Sequence, residues 1–211
     1  MVRYAITDRL RLTGDEHERQ AKLLRLATRW AAEGLNFVQL REKEMAAGAL
    51  ADLARGMLAA LRTRTPAPKL LINSRADVAV AAGADGVHLT SAPGGLTPAQ
   101  VRSLYAAAGL PEPVISVSCH SLDEVAGASH SGATLILFGP VFEKVAFENG
   151  AGSQQVAEGI GLNLLRVVSA AAAPTPVLAL GGVTEANADA CLAAGAAGIA
   201  AIRLFQGESP A

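Results

Sequence analysis

Short apolar runs alternate with helical stretches along the chain. In four places an Ala-rich helical stretch stops at a glycine and leads into such a run, and glycine there fits the left-handed position that ends a helix. The runs are nearly continuous in apolar residues, as in strands buried on both faces. The four segments are EGLNFVQL (33–40), AGADGVHL (82–89), SGATLILF (131–138) and AGAAGIAAI (194–202).

Three further apolar runs start just after a proline, which blocks a helix and favours an extended chain. Between the runs, apolar residues recur three and four positions apart, the spacing of a helix that buries one face. The first run of the chain, VRYAIT (2–7), follows neither a helix-ending glycine nor a proline. The three runs after a proline are PKLLIN (68–73), PVISVS (113–118) and PVLALGG (176–182).

Eight short strands, each followed by a helical stretch, predict an α/β protein with a single (β/α)8 TIM barrel over residues 1–211. The alternative is an open doubly wound sheet, but its G-x-G-x-x-G fingerprint does not follow the first strand. Barrels place the active site at the carboxyl ends of their strands. The residues at those ends are therefore the candidates for function.

Composition narrows the class of protein. The chain has 211 residues, of which 18 are basic and 19 acidic, so no strong field for nucleic acid or an anionic membrane is expected. No apolar run reaches the length of a membrane span, and the first residues lack the plan of a signal peptide. Cys119 and Cys191 have no metal-ligand spacing and are interpreted as free thiols. We expect a cytoplasmic protein.

The end of the second predicted strand carries an unusual set of polar residues. Gln39, Arg41 and Lys43 alternate with Leu40 and Glu42, so a strand through all of them would place the first three on one face. Cations are costly to bury without a partner, and Arg suits bidentate contacts to phosphate. The pattern indicates an anion site at the mouth of the barrel. The alternative is a solvated loop in which Arg41 and Lys43 pair with Glu42 and Glu44.

A second candidate anion site lies in ALGGVTEAN (179–187). Gly181 and Gly182 follow a strand, and Thr184 is a plausible helix cap, so backbone N–H groups would face a ligand at the start of a helix. Phosphate groups are common between strands seven and eight of such barrels. Arg203, after the last strand, would add a charge or form a salt bridge.

The longest stretch without a periodic pattern runs from 139 to 159 and follows strand six. A loop of this length in a compact barrel is typically an active-site element, and the alternative is an insertion with no role. Among the histidines, His88 lies within strand four and is interpreted as a hydrogen-bonded core residue, with a catalytic role as the alternative. His120 follows strand five in SCHSLDE, where it is either a structural residue beside a capping box or a catalytic one.

Six blocks in order resemble the thiamine phosphate synthases and the related thiazole tautomerases. They are YAITD (4–8), VQLREK (38–43), LINSRADVAVAAGADGVHL (71–89), VSCHSLDE (117–124), LFGPVFE (137–143) and LALGGVTEANADACLAAGAAGIAAI (178–202). The synthase joins an aminomethylpyrimidine diphosphate to a thiazole phosphate, with Mg2+ bridging the diphosphate. The resemblance implies that Gly182 and the end of strand eight hold the thiazole phosphate, and that Ser118 approaches the diphosphate. The residues implied to hold the diphosphate are Gln39, Arg41, Lys43 and Asn73.

The chain departs from the synthase pattern where the metal belongs. Ser74 stands where the family has Asp, and Pro93 stands where a second acid is expected. Mg2+ prefers carboxylate oxygens, which neither residue supplies. In the loop after strand six, Ala146 and Phe147 replace the Thr and Lys that reach the diphosphate in synthases.

The tautomerase branch needs no metal and keeps VFE in this loop, as in residues 141–143. Its reaction needs a general base near a bound phosphate, and Pro140 stands where known branch members carry a histidine. We therefore expect an isomerase of the tautomerase type without a cofactor, with His120 or Glu143 as the base. The alternatives are a thiamine phosphate synthase, a transferase that uses Mg2+, and a non-catalytic barrel that binds a phosphate ligand. For the oligomeric state of the protein we consider a homodimer.

Overall fold

The chain folds into a closed barrel of eight parallel strands. A computed structural model describes residues 1–92, 94–147 and 154–207. The barrel strands are β1 (Val2–Ile6), β2 (Phe37–Leu40), β3 (Lys69–Asn73), β4 (Gly86–Thr90), β5 (Val114–Cys119), β6 (Leu135–Phe138), β9 (Val177–Leu180) and β10 (Gly198–Ala201). Each pairs with the next barrel strand along the chain, and β10 closes onto β1. The predicted (β/α)8 architecture is confirmed, and the open sheet is excluded.

Helices cover the outside of the barrel between the strands. Trp30 anchors the last short helix to the first, because its indole N–H donates to the Phe205 carbonyl at 2.8 Å. Within the described residues, no helix is both long enough and apolar enough to cross a bilayer. The helices are α1 (Glu16–Ala32), α2 (Ala47–Leu61), α3 (Ala76–Ala82), α4 (Pro98–Ala107), α5 (Leu122–His130), α6 (Gly161–Ala171), α7 (Glu185–Ala193) and α8 (Arg203–Gln206), with a 3-10 turn at Arg9–Arg11.

Glycine ends the helical stretch before every second barrel strand, as predicted. Gly34, Gly83, Gly132 and Gly195 have φ values of 69, 67, 83 and 94°. Residues with a Cβ rarely adopt this left-handed conformation, so these glycines set the point at which the chain turns into the sheet.

Side chains inside the barrel divide into an apolar part and a polar part. The apolar part is a cluster of inward residues that includes Ile6, Leu71, Leu137 and Leu178. A larger cluster lies between the strands and the helices and forms the main core. The polar part of the interior comes mainly from β2 to β5, and it places the candidate site next to those strands.

The stretch from 139 to 159 contains regular structure that its sequence did not predict. Strands β7 (Lys144–Phe147) and β8 (Gln154–Ala157) pair antiparallel in a sheet of their own. A four-residue strand is too short for its periodicity to stand out from a loop. Residues 148–153 of the predicted loop lie outside the described residues. Its role as an active-site element stays a prediction, as does the single-domain assignment of residues 1–211.

Candidate functional site

Strand β2 places the Gln39 side chain inside the barrel. The strand itself ends at Leu40. Gln39 is 1% exposed, Arg41 is half-buried and Lys43 is exposed. The strand therefore does not continue through all three residues, and the prediction of one shared face is wrong beyond Leu40. Arg41 and Lys43 belong instead to the turn that leaves the strand at the mouth of the barrel.

Glu42 is buried beside Arg41 and is held by three kinds of donor. Its carboxylate accepts from the Thr7 hydroxyl at 2.6 Å, from Arg9 Nη1 at 3.0 Å and from the Arg9 backbone N–H at 3.1 and 3.2 Å. The Thr7 oxygen also accepts from the Arg41 backbone N–H at 2.9 Å. We call Thr7, Arg9 and Glu42 the clamp, because they fix the backbone from which Arg41 extends.

Arg41 and Lys43 lie in a loop, as the alternative interpretation had it, but the ion pairs that it predicted for them with Glu42 and Glu44 are not formed. Glu42 and Glu44 both pair with Arg9, the second at 3.5 Å. Among the described residues, no carboxylate pairs with the Arg41 guanidinium. Its charge nevertheless contributes, after burial, to the lowered pKa of His88 inside the barrel. A half-buried guanidinium without an acidic partner is well placed to bind an anion.

A line of hydrogen-bonded side chains crosses the interior of the barrel. It joins five strands, because the alternation of side chains turns one residue in two toward the barrel axis. We call its six members, Asn73, Gln39, Tyr4, Ser116, His88 and Ser118, the polar chain. Its contacts are Asn73 Oδ1 to Gln39 Nε2 at 2.8 Å, Gln39 Oε1 to Tyr4 Oη at 3.2 Å, Tyr4 Oη to Ser116 Oγ at 3.0 Å, Ser116 Oγ to His88 Nδ1 at 2.8 Å and His88 Nε2 to Ser118 Oγ at 2.8 Å.

His88 is the core residue that its position within a strand predicts. It is 4% exposed, and both ring nitrogens have a serine hydroxyl as partner. Burial, and secondarily the Arg41 charge, lowers the pKa of His88 to about 3. The imidazole is therefore neutral at physiological pH and is a poor candidate for a general base.

We expect acid to destabilise the protein through His88. The unfolded side chain takes up a proton near its usual pKa of about 6.5, whereas the folded one does so only near pH 3. The unfolded state thus binds more protons in this window, so the free energy of unfolding falls as pH falls, by up to about 1.4 kcal/mol per unit. Urea denaturation at about pH 7 and about pH 5 measures the slope. His88→Gln should flatten it, and an equal slope in both proteins would contradict the assignment.

His120 lies at the carboxyl end of β5, on the rim of the barrel. Its Nδ1 contacts the Gly139 carbonyl oxygen, and its backbone N–H donates to Glu124 at 2.6 Å. A carbonyl only accepts, so Nδ1 carries the proton and Nε2 of the neutral ring keeps its lone pair. The Ser121 hydroxyl accepts from the Glu124 backbone N–H, as the capping pattern predicted. Glu143 is exposed, in the segment that follows Gly139.

Gly181 and Gly182 allow the segment after Gly139 to pack closely against the end of β9. A Cβ on Gly181 would lie 2.5 Å from Pro140, and one on Gly182 would lie 2.7 Å from the Glu143 carbonyl oxygen. The Gly182 N–H donates to no described residue, and Thr184 is the N-cap of α7. The glycine pair therefore has a structural reason, while its role in phosphate binding stays a prediction. Arg203 is the first residue of α8 and is half-buried.

The described part of the mouth does not fit Mg2+. No group of three or more carboxylate, imidazole or thiol side chains among the described residues lies together so as to hold a metal ion. Ser74, at the expected acid position, is exposed with φ of 57°, and its hydroxyl contacts Asn73 Nδ2 at 3.4 Å. Hydroxyl and amide oxygens alone are a weak donor set for this hard cation. Pro93, the second expected acid position, lies outside the described residues.

Sequence reasoning missed the residues that connect the predicted ones. Tyr4 joins Gln39 to β5, and Arg9 of the clamp holds Glu42 next to Arg41. Thr7, by contrast, was a candidate from its place at the end of the first predicted strand. Tyr4 is separated from Ser116 by 112 positions in the chain, so local patterns carry no signal for that contact. The only available signal was that Tyr4 and Ser116 are polar residues at alternating positions of otherwise apolar strands.

The fold and the mouth together define a (β/α)8 barrel whose candidate site lies at the carboxyl ends of its strands. A sequence model of the family described as thiamine monophosphate synthase matches residues 4–205. A Geobacter sulfurreducens protein named "Putative thiamine-phosphate synthase" is 41% identical over 202 residues, with 94% of this chain and 84% of that protein covered. This chain belongs to the thiamine monophosphate synthase family.

Two further comparisons agree with this assignment. A thiamine-phosphate synthase of Azorhizobium caulinodans is 34% identical over 200 residues, with 94% of this chain and 84% of that protein covered. The structure of a thiamine phosphate pyrophosphorylase from Pyrococcus furiosus superposes with a TM-score of 0.73 at 27% identity, covering 98% of this chain and 87% of the other. The resemblance seen in the sequence is confirmed at the level of the family.

Proposed function

We propose that this protein is a transferase that joins an aminomethylpyrimidine diphosphate to a thiazole phosphate, the synthase alternative of the sequence analysis. The observation that carries the proposal is Arg41, which is half-buried at the mouth without an acidic partner among the described residues. The amides of Gln39 and Asn73 lie on neighbouring strands and are already joined at 2.8 Å. The relatives named as thiamine-phosphate synthases support this reaction over the tautomerase reaction first expected from the sequence.

In the proposed reaction the carbon–oxygen bond to the diphosphate breaks and its electron pair leaves with the diphosphate. The thiazole nitrogen supplies the electron pair of the new bond to the same methylene carbon. Arg41 binds the departing anion and Lys43 approaches it from the exposed side, so both offset the charge that develops. Asn73 Nδ2 is a further donor toward the same anion. We assign the thiazole phosphate to Gly181, Gly182 and Arg203 at the ends of β9 and β10. Since the described residues do not fit Mg2+, no step is assigned to a metal.

The second candidate is the thiazole tautomerase, an isomerase. The observation in its favour is the ring of His120, whose Nε2 keeps its lone pair because Nδ1 contacts the Gly139 carbonyl. An imidazole nitrogen of this kind on the rim of the barrel is a suitable general base. Glu143 is the alternative base in the same loop.

A product assay separates the candidates. With the pyrimidine diphosphate, the thiazole phosphate and Mg2+ supplied, we expect thiamine phosphate to form, and His120→Gln should change its rate by less than about tenfold. Aromatisation of the thiazole tautomer without thiamine phosphate, lost in His120→Gln, would replace the transferase with the isomerase. If neither product forms, the non-catalytic binding barrel is the remaining function.

The biological setting follows from the same proposal. A reaction between two small phosphorylated molecules needs no nucleic acid or membrane partner, and we place it in the cytoplasm. The homodimer considered from the sequence stays a prediction that the mass of the protein in solution checks.

A further inference from the structure

The polar chain has a direction that follows from the orientation of the Gln39 amide. Gln39 donates from Nε2 to Asn73, so its Oε1 faces Tyr4 and accepts the only proton that the Tyr4 hydroxyl can donate. Ser116 must therefore donate its own proton to Tyr4. With that proton used, Ser116 accepts from His88, and the proton of His88 is on Nδ1.

The direction continues to the mouth of the barrel. A neutral His88 with its proton on Nδ1 has a lone pair on Nε2, so the Ser118 hydroxyl donates to it at 2.8 Å. Ser118 then has only lone pairs left for a ligand. The pKa of His88 agrees with this direction. Burial and, secondarily, the Arg41 charge lower that pKa and keep the ring neutral, so it can donate to only one of the two serines.

We propose that Ser118 acts as a hydrogen-bond acceptor that selects a ligand carrying an N–H donor, and that Tyr4, Ser116 and His88 are positioning residues that impose this role. The inference rests on the proposed function for the identity of that ligand. The aminomethylpyrimidine diphosphate carries a ring amino group, which supplies such a donor. In this role Ser118 binds the amino group of the pyrimidine, which differs from the approach to the diphosphate that the family resemblance implied.

The tautomer of His88 tests the direction of the chain without any ligand. In nitrogen-15 NMR of the whole protein, we expect His88 Nδ1 to have the signature of a protonated ring nitrogen and Nε2 that of an unprotonated one. The same experiment on Tyr4→Phe, which frees the Ser116 proton for His88 Nδ1, should show a shift of the proton to Nε2. A proton on Nε2 in the unaltered protein would reverse the chain and overturn the proposal.

Ligand selection is tested with a matched pair of pyrimidine diphosphates, one of them lacking only the ring amino group. Calorimetry should show at least about tenfold tighter binding of the amino compound, because without it the Ser118 lone pairs are left unpaired. Ser118→Ala and Tyr4→Phe should reduce this preference. Tyr105→Phe is the control, since it also deletes a buried hydroxyl, but one that donates to the Ala84 carbonyl at 3.1 Å and lies outside the polar chain.

The outcomes distinguish this inference from the proposed function. Equal binding of both compounds would overturn the role of Ser118 while leaving the anion site of Arg41 intact. If neither compound nor inorganic diphosphate binds, the proposed function fails and the ligand assigned to Ser118 fails with it. In that case the His88 tautomer still decides whether Ser118 faces the mouth as an acceptor.

Discussion

Replacing Arg41 with Ala is expected to lower the affinity for inorganic diphosphate and for the pyrimidine diphosphate by about 10- to 150-fold. This range corresponds to the roughly 1.5–3 kcal/mol of a hydrogen bond to a charged group. The guanidinium is half-buried, so its attraction to an anion is screened less than that of a surface charge. Its side chain pairs with no acid among the described residues, so its removal leaves no buried carboxylate behind. Calorimetric titration measures the loss.

Two matched variants make the result specific. Arg41→Lys keeps the charge but loses the planar pair of donors, so an intermediate affinity is expected. Lys43→Ala removes an exposed cation, and its effect should stay below about threefold at physiological salt. An unchanged affinity in Arg41→Ala, with the circular dichroism of the folded barrel retained, would mean that the anion binds elsewhere.

The fold was predictable because the residues that end its helices and start its strands act through their own local conformation. Glycines such as Gly34 and Gly83 end helices through their own backbone conformation, and prolines such as Pro113 start strands through their ring. Neither signal needs knowledge of distant residues. The hairpin of β7 and β8 was missed because four-residue strands that pair only with each other carry no comparable signal.

The candidate site was predictable only in part, because strand alternation holds only as far as the strand. Alternation correctly predicted that the Gln39 side chain lies inside the barrel. It predicted the wrong position for Lys43, because β2 ends at Leu40. After Leu40 the clamp determines the course of the chain, and its residues Thr7 and Arg9 lie 35 and 33 positions before Glu42. The sequence shows neither that Glu42 is buried nor that its partner is Arg9 rather than Arg41.

The second large effect is a loss of stability when the buried carboxylate of the clamp is removed. Glu42→Ala should lower the free energy of unfolding by about 3–5 kcal/mol, the usual cost of removing one partner from a buried ion pair. Glu42 is 4% exposed, and its loss leaves the Thr7 hydroxyl and the Arg9 backbone N–H without their acceptor. Urea denaturation measures the change.

Glu42→Gln is the matched control, because it keeps the shape and one acceptor oxygen while removing the charge. Burial raises the pKa of Glu42, although the hydrogen bonds from Thr7 and Arg9 oppose the shift. The site therefore stabilises the charge of Glu42 less well than water does, and replacing the carboxylate with a neutral amide should cost only about 1 kcal/mol. Arg9 keeps Glu16 at 2.9 Å as a second partner in both variants. If Gln costs as much as Ala, the charge of Glu42 rather than its hydrogen bonds holds the turn of Arg41.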